Sequence, residues 1–210
     1  MDARFVATAF ATAITIIDPI GMIPLTLAAT ARVSAQRRNQ IIDQAVLVAA
    51  AIVLFMGLVG RALLGSLGIT LPAFTVAGGI LLFLIAIDML FARPTGAKRT
   101  EAEERDAAAT ENPAVFPLAV PMIAGPGTIA TVLLLVDLAH GDRLNQLIVV
   151  LAYAVALAAT WICMRASTLL LRLISVTGIH VISRLLGIIL AALAVQFVIN
   201  GVMQTPLVKH

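Results

Sequence analysis

Charged residues are scarce in this chain. Of its 210 residues, 61% are hydrophobic and only 12% are Asp, Glu, Lys or Arg, whereas a typical soluble domain is about 25% charged. The mean hydropathy of +1.06 is likewise too high for a water-soluble core of this length. This scarcity excludes a soluble fold and predicts an all-α integral membrane protein in contact with the lipid bilayer.

Cysteine and histidine are also rare, which limits the chemistry open to the protein. Cys163 is the single cysteine, so an intramolecular disulfide is excluded, and the three histidines show no metal-ligand spacing. No Gly-x-Ser-x-Gly or His-Glu-x-x-His motif is present, so we expect neither enzymatic activity nor a cofactor. The basic residues lie between apolar runs rather than in one patch, and no nucleic-acid partner is expected.

Six stretches are apolar and long enough to cross a bilayer as helices, which takes about 20 residues each. They are 5–30, 41–63, 69–91, 114–139, 145–164 and 181–203. A run of alanines and a threonine at 29–31 resembles a signal-peptidase site, but Asp18 and two prolines interrupt the apolar run before it and favour a retained first span.

Two polar stretches separate these spans. Segment 92–113 is rich in charges of both signs and predicts a loop. Segment 165–180 mixes Arg165 and Arg172 with leucines, so it either extends the fifth helix or lies at the membrane interface. With six spans, ten basic residues fall on the side of loop 92–113 and four on the other side. The positive-inside rule then places that loop in the cytoplasm and both termini in the periplasm of a bacterial inner membrane.

The two halves of the chain resemble each other at an offset of 108 residues, as between Gly79 and Gly187. A first unit at 1–91 and a second at 114–204 would each contain three spans, and an odd number inserts the second copy upside down. The sequence therefore predicts two inverted three-helix repeats, an architecture common among secondary transporters. The first helix of each repeat is the one that Pro and Gly interrupt.

The first interruption is the run 18–24, which contains Asp18, Pro19, Gly21 and Pro24. Proline inside a helix removes a backbone hydrogen bond, so this span should divide into two half-helices around a cavity. Asp-Pro is also a helix-start signal, with the aspartate as N-cap. Asp18 therefore either caps the second half-helix only or also binds a cation or a substrate ammonium.

The second interruption is the run 117–128, where Gly125 precedes Pro126, Gly127 and Thr128. A glycine N-cap offers no side chain to the amides of the next turn, and open amides at a helix start bind anions. A substrate carboxylate would suit these donors. The alternative is a kinked helix whose amides are paired by a neighbouring helix.

Further polar residues fit a pathway through the membrane. Thr8, Thr12, Thr15 and Asp18 share one helix face, although membrane threonines often bond only to their own helix backbone. Asp88 and Gln196 correspond in the two halves, and Asn200 follows one turn later. Small residues at helical spacing on the fifth and sixth spans, among them Ala154, Ala158 and Gly187, predict helix-packing faces.

Several of these motifs resemble the MarC family of bacterial inner-membrane proteins over almost the whole chain. The matching residues are Asp18-Pro19-Ile20-Gly21 with Pro24, Phe116-Pro117-Leu118-Ala119 with Pro121, Ile123-Ala124-Gly125-Pro126-Gly127, and Arg184, Gly187, Ala191 to Gln196 and Gly201. The resemblance implies six spans, a grouping with LysE-type exporters, and a likeness to SnatA-type transporters of glycine and alanine. Met22 departs from the Asn that many relatives carry there.

Together these patterns predict a secondary transporter of small neutral amino acids that works by alternating access. The substrate would lie between the two breaks, contacting Asp18, Pro19, Gly21, Gly125, Pro126, Gly127, Thr128 and Gln196, with Thr8, Thr12, Thr15, Asp88 and Asn200 along the pathway. H⁺ or Na⁺ is a candidate coupling ion, and a homo-oligomer is a candidate assembly. A lipid or drug exporter and an accessory membrane protein without transport activity remain as alternatives.

Overall fold

The computed structural model describes residues 3–31, 33–91, 113–139 and 141–204, which contain helices and no strand. The helices are α1 (Ala3–Ile17), α2 (Met22–Ala29), α3 (Ala35–Ser66), α4 (Leu71–Phe91), α5 (Ala114–Ile123), α6 (Pro126–Leu138), α7 (Arg143–Arg165) and α8 (Ser167–Met203). Almost all of loop 92–113 lies outside the described residues.

The helices match the six predicted spans closely. Five stretches are long and apolar enough to cross a membrane, and the bent pair α5 and α6 makes a sixth if it is one span. The first of the five, Ala3–Ala29, includes the break between α1 and α2. The prediction of an all-α multi-pass membrane protein is therefore confirmed.

Segment 165–180 does not continue the fifth span as one helix, and its place at the membrane interface stays a prediction. α7 ends at Arg165, and α8 begins two residues later at Ser167. α8 is broken at Ser175, where φ is 64° and ψ is 162°, and the stretch long enough to cross a membrane starts at Thr177. A short helical stretch therefore precedes the last span, and the Arg38 guanidinium holds it beside α3 by donating to the Thr168 hydroxyl.

The core lies around α1 and α6. These are the helices next to the two breaks, and the other helices surround them. Of the most apolar window in the Ala3–Ala29 span, 56% is buried, compared with 17% for α3. α1 contributes alanines and isoleucines to the core, and α6 is buried along most of its length. α3 instead presents large side chains such as Leu47 and Leu58 outward, as expected of a helix that faces lipid.

α4 and α8 form the most extensive helix contact among the described residues. The backbones approach so closely that a Cβ on Gly79 would lie 2.9 Å from the Ala194 carbonyl oxygen, and a Cβ on Gly187 would lie 3.2 Å from the Ala86 carbonyl oxygen. Gly201 makes a third close approach, to Pro72. Glycines at such points allow membrane helices to pack backbone to backbone.

The glycine contacts between α4 and α8 occur in matching pairs. Gly79 meets Ala194, and Gly187 meets Ala86. Adding the offset of 108 residues to Gly79 and Ala86 gives Gly187 and Ala194, so each contact maps onto the other. The two helices are antiparallel, because the end of α4 meets the start of the α8 span and the start of α4 meets its end.

Candidate substrate site at the two helix breaks

Asp18 forms the break between α1 and α2. Its N–H donates to the Ile14 carbonyl at 3.0 Å and ends α1, while its own carbonyl accepts from the Met22 N–H at 3.1 Å and starts the next turn. Its φ of 52° lies in the left-handed region that few residues other than glycine adopt. The Gly21 N–H donates to Asp18 Oδ1 at 3.0 Å. The Asp18 side chain therefore pairs within the turn that leads into α2, whose own N-cap is Gly21 without a side-chain hydrogen bond.

The rest of the Asp18 carboxylate is available for other contacts. Asp18 is only 6% exposed, and Oδ2 accepts a long hydrogen bond of 3.4 Å from the Ser183 hydroxyl of α8. An ionised carboxylate offers about four lone-pair positions, and the described residues occupy two. A Cβ on Gly21 would collide with Oδ2, so glycine at this position leaves room for the carboxylate.

The second break consists of wide helical turns followed by a sharp bend. Within α5, Phe116 and Val120 have extended backbone, each before a cis proline. The Ala124 N–H donates to the Ala119 carbonyl at 2.8 Å, an i→i−5 bond. α6 then begins at Pro126, and α5 and α6 are bent by 51° relative to each other.

Gly125 is the N-cap of α6 and supplies no side-chain hydrogen bond to it. Pro126 has no N–H, and no hydrogen-bond acceptor among the described residues pairs with the N–H of Gly127 or Thr128. The Thr128 hydroxyl turns back to the Ile123 carbonyl at 2.7 Å. The first turn of α6 thus retains open amides at a positive helix end.

The open amides face a very small space. A cavity of about 10 Å³ is bounded by this turn together with Ile16 of α1, Ile85 of α4, and Pro121 and Met122 of α5. That volume is about what one water molecule needs. A Cβ on Gly127 would lie 2.6 Å from Ile85 Cδ1 and 2.9 Å from Ile16 Cδ1. The structure is therefore closed at the second break, and two isoleucine side chains close it.

The two breaks are neighbours through α1. Ile16, whose side chain packs on Gly127, lies two residues before Asp18. The Asp18 carboxylate itself bonds to Gly21 and Ser183, and not to α6 in the part of the chain described. Pro19 is buried beside Asp18, whereas Pro126 is exposed at the start of α6.

The threonine face of α1 points largely into the protein. Thr12 and Thr15 are buried and Thr8 is half-buried. The Thr12 hydroxyl has no hydrogen-bond partner among the described residues. A buried hydroxyl without a partner costs about 1–3 kcal/mol, so Thr12 is a polar group in the core that the fold leaves unsatisfied.

The predicted substrate contact Gln196 and the predicted pathway residues Asp88 and Asn200 lie elsewhere. Gln196 is exposed on α8, and its amide donates to the Asn200 side chain at 2.8 Å. Asp88 is half-buried on α4. No described contact joins any of the three to either break, so the repeat that related Asp88 to Gln196 does not bring them to the site.

Two hydrogen-bonded groups, one beside the second break and one at the protein surface, were not predicted from the sequence. The Tyr153 hydroxyl of α7 donates to Thr131 Oγ1 at 2.6 Å, and Thr131 lies within reach of the Gly127 and Thr128 carbonyls at 2.9 and 3.0 Å. Tyr153 is thereby tied to the first turn of α6. A single tyrosine in an apolar span was the available signal, because a buried phenol hydroxyl needs a partner.

The second group joins α3 to α7 at the protein surface. The Arg165 guanidinium contacts both oxygens of Asp43, at 2.7 and 2.6 Å. Trp161 Nε1 donates to Asp43 at 2.7 Å, and the guanidinium lies 5.0 Å from the centre of the Trp161 ring. Arg165 was interpreted as a topology signal and as part of the polar segment 165–180, and Asp43 in a long apolar helix was the feature that could have suggested a partner.

Comparison with known proteins relates the chain to one family. A family model described as MarC family integral membrane protein matches residues 3–205. The chain is 34% identical to the membrane protein MJ1677 of Methanocaldococcus jannaschii, covering 96% of this chain and 98% of the relative. It is 37% identical to a membrane protein of Aquifex aeolicus over 96% and 93% of the two chains. It is 31% identical to the Escherichia coli inner membrane protein YhgN over 90% and 91%. No solved structure matches.

Proposed function

The chain belongs to the MarC family of integral membrane proteins, and from this premise we propose that it is a secondary transporter of small neutral amino acids such as glycine and alanine. The observation that carries the proposal is the start of α6, where amides without acceptors lie at the end of a helix inside the protein. Non-helical backbone at membrane depth is tolerated where it is buried in protein or lines a cavity. YhgN is named an inner membrane protein, and we place this multi-pass chain in the same kind of membrane, with both termini periplasmic.

The substrate carboxylate binds the amides of Gly127 and Thr128. A helix N-terminus attracts anions through its unpaired N–H groups and its dipole. The absence of a side chain at Gly125 and Gly127 lets a ligand approach the backbone. Because Ile16 and Ile85 now leave space for about one water molecule, these side chains must move before a substrate enters.

Asp18 binds the substrate ammonium or the coupling ion, H⁺ or Na⁺. The support for this role is its burial together with the unused lone pairs of its carboxylate. A buried carboxylate with spare acceptor positions gains free energy from a cation. Its place two residues after Ile16, just beyond the end of α1, puts ion binding next to the residue that closes the second break.

Alternating access arises from movement of one three-helix repeat against the other. The matched contacts of Gly79 and Gly187 support an inverted repeat, because a related pair of halves should make the same contact twice. The substrate would be exposed first to one side of the membrane and then to the other side, as repeats 1–91 and 114–204 change their relative tilt.

Counterflow of labelled alanine into proteoliposomes tests this function. Protein-dependent uptake is expected, with a decrease of about tenfold in Asp18→Asn. The asparagine side chain keeps an oxygen that can accept from the Gly21 N–H, so this variant removes the charge and retains that hydrogen bond. Asp142→Asn is the matched control, since Asp142 caps α7 at the exposed surface by accepting from the Leu144 N–H.

Each other outcome changes a different part of the proposal. Uptake that survives Asp18→Asn would keep the transporter and restrict Asp18 to its hydrogen bonds within the fold. Absence of alanine and glycine uptake by folded protein would contradict an amino-acid substrate. Transport of lipids or drugs by the same preparation would then assign that class of substrate to the protein instead of amino acids.

A further inference from the structure

A long apolar groove runs along the outer surface between α3 and α7. Its volume is about 880 Å³, and aliphatic side chains form most of its walls, among them Val53, Leu54 and Leu58 of α3 and Leu147, Val150 and Leu157 of α7. Leu58 is 75% exposed and Leu147 is 52% exposed. The groove is therefore open toward the surroundings of the protein, and both of its helices are long and apolar enough to cross a membrane.

Small residues make the groove deep. Ala154 and Ala158, on a face that the sequence predicts to pack against another helix, line it and remain exposed. Small side chains normally let a neighbour approach closely. In the described structure no helix covers this face, so the groove is open to an occupant from outside the described residues.

Polar groups in the groove are concentrated at one end. The pairing of Asp43 with Arg165 shows that α3 and α7 are antiparallel, which places Arg61, late in α3, beside Gln146, early in α7. Both side chains line the groove, and both are exposed. Arg61 forms no ion pair or side-chain hydrogen bond within the described residues. The groove thus carries an uncompensated cation and an amide at this end.

The remaining length of the groove is apolar. From Arg61 back to Val46 the α3 wall covers about 22 Å at 1.5 Å per residue. One leaflet of the hydrocarbon core is about 15 Å thick, half of the total. An acyl tail that enters from the Arg61 end can therefore lie in the groove over the whole thickness of that leaflet.

We propose that this groove binds an anionic phospholipid, with the phosphate on the Arg61 guanidinium and the acyl tails along the alanine-lined wall. Guanidinium groups bind phosphate bidentately and strongly, and the Gln146 amide adds a neutral donor. An amphiphile with one anionic end matches a groove with one cationic end. A helix from a second copy of the chain would fill the apolar part but would leave Arg61 without an anion.

The bound tail would also contact the path to the second break. Tyr153, which is 3% exposed, is among the residues that line the groove, and its hydroxyl donates to Thr131. Thr131 is in turn bonded to the first turn of α6. A lipid tail packed on the Tyr153 ring thus holds in place the residue that supports the open amides.

Native mass spectrometry of the full chain in detergent tests the lipid site. We expect phosphatidylglycerol to bind at least tenfold more tightly than phosphatidylcholine with the same acyl chains. Arg61→Gln should reduce the affinity for phosphatidylglycerol about tenfold, to the level of phosphatidylcholine. Arg172→Gln is the charge-matched control, because Arg172 is exposed but does not line the groove. Equal binding of both lipids by the unchanged protein would overturn the proposal.

A second pair of variants tests the position of the tails. Ala154→Phe fills the groove from an exposed position and should reduce bound lipid severalfold without unfolding the protein. Ala192→Phe is the control, since Ala192 is exposed on α8 outside the groove. Unchanged lipid binding in Ala154→Phe would overturn the site. A dimer that Ala154→Phe dissociates, with lipid binding unaffected by Arg61→Gln, would instead assign the groove to a second copy.

Discussion

The Tyr153 hydroxyl donates a hydrogen bond of 2.6 Å to Thr131 Oγ1, with both residues buried. Because Thr131 also bonds to the carbonyls of Gly127 and Thr128, this single contact links α7 to the first turn of α6. The open amides of that turn are therefore positioned by a helix that lies outside either break.

Tyr153→Phe should destabilise the protein by about 1 kcal/mol, because one buried hydrogen bond is lost while the ring remains. For a chain of this size that corresponds to a decrease in melting temperature of about 2–4 °C in detergent. Thr131→Val should lower the free energy of unfolding by a similar amount or more. In the double variant the effects should be less than additive, since each change removes the same bond; full additivity would contradict the link.

Gly125→Ala should reduce alanine counterflow at least tenfold. A Cβ at this position would collide with the Pro121 carbonyl oxygen, so the backbone of the second break must shift and misplace the amides that follow. Gly65→Ala is the control, because a Cβ at Gly65 meets nothing within 4 Å. Western blotting and melting curves should show that both variants insert and fold. Normal counterflow by folded Gly125→Ala would contradict the proposed anion site.

Gly79→Ala should destabilise the contact between α4 and α8 by about 1–3 kcal/mol, the usual cost of overpacking. Its Cβ would lie 2.9 Å from the Ala194 carbonyl oxygen, which is backbone and cannot rotate away. Gly187→Ala should have a similar but smaller effect, because its nearest backbone oxygen is 3.2 Å away. The neighbouring Gly78→Ala makes only an ordinary 3.6 Å contact with Ala130 and should be tolerated. Melting temperatures that do not distinguish Gly78→Ala from Gly79→Ala would contradict this packing.

Asp43→Asn and Arg165→Gln should each change stability by no more than about 1 kcal/mol, because both side chains are substantially exposed and water screens the pair. The coupling between them should decrease at high salt. A double-mutant cycle on melting temperature at two salt concentrations measures it. A coupling of several kcal/mol that is insensitive to salt would mean that the pair is shielded from water.

The broken spans were predictable because their causes are local. Proline at the first turn of a half-helix and a capping aspartate or glycine before it leave a clear signature, and hydropathy identifies the spans. The break at Ser175 had no such signature, since serine seldom adopts a positive φ. The wide turns around Phe116 and Val120 were also missed, because their shape depends on the helices around them.

The partners of the site residues were not predictable to the same degree. The bond of Asp18 with Gly21 lies within one local turn, whereas its contact with Ser183 depends on how α8 packs. The same holds for Tyr153 with Thr131 and for Asp43 with Arg165, which lie on different helices. Gln196 was assigned to the site through its likeness to Asp88, yet a related position in a repeat does not specify which face of the helix turns inward.

The glycine contacts between α4 and α8 have a mechanical consequence. Where side chains interdigitate, two helices can slide or tilt only if each side chain leaves the hollow that holds it. At Gly79 and Gly187 no side chain projects from the glycine, and the opposing surface includes backbone. At these two points one helix can therefore pivot against the other without any change of rotamer at the glycines.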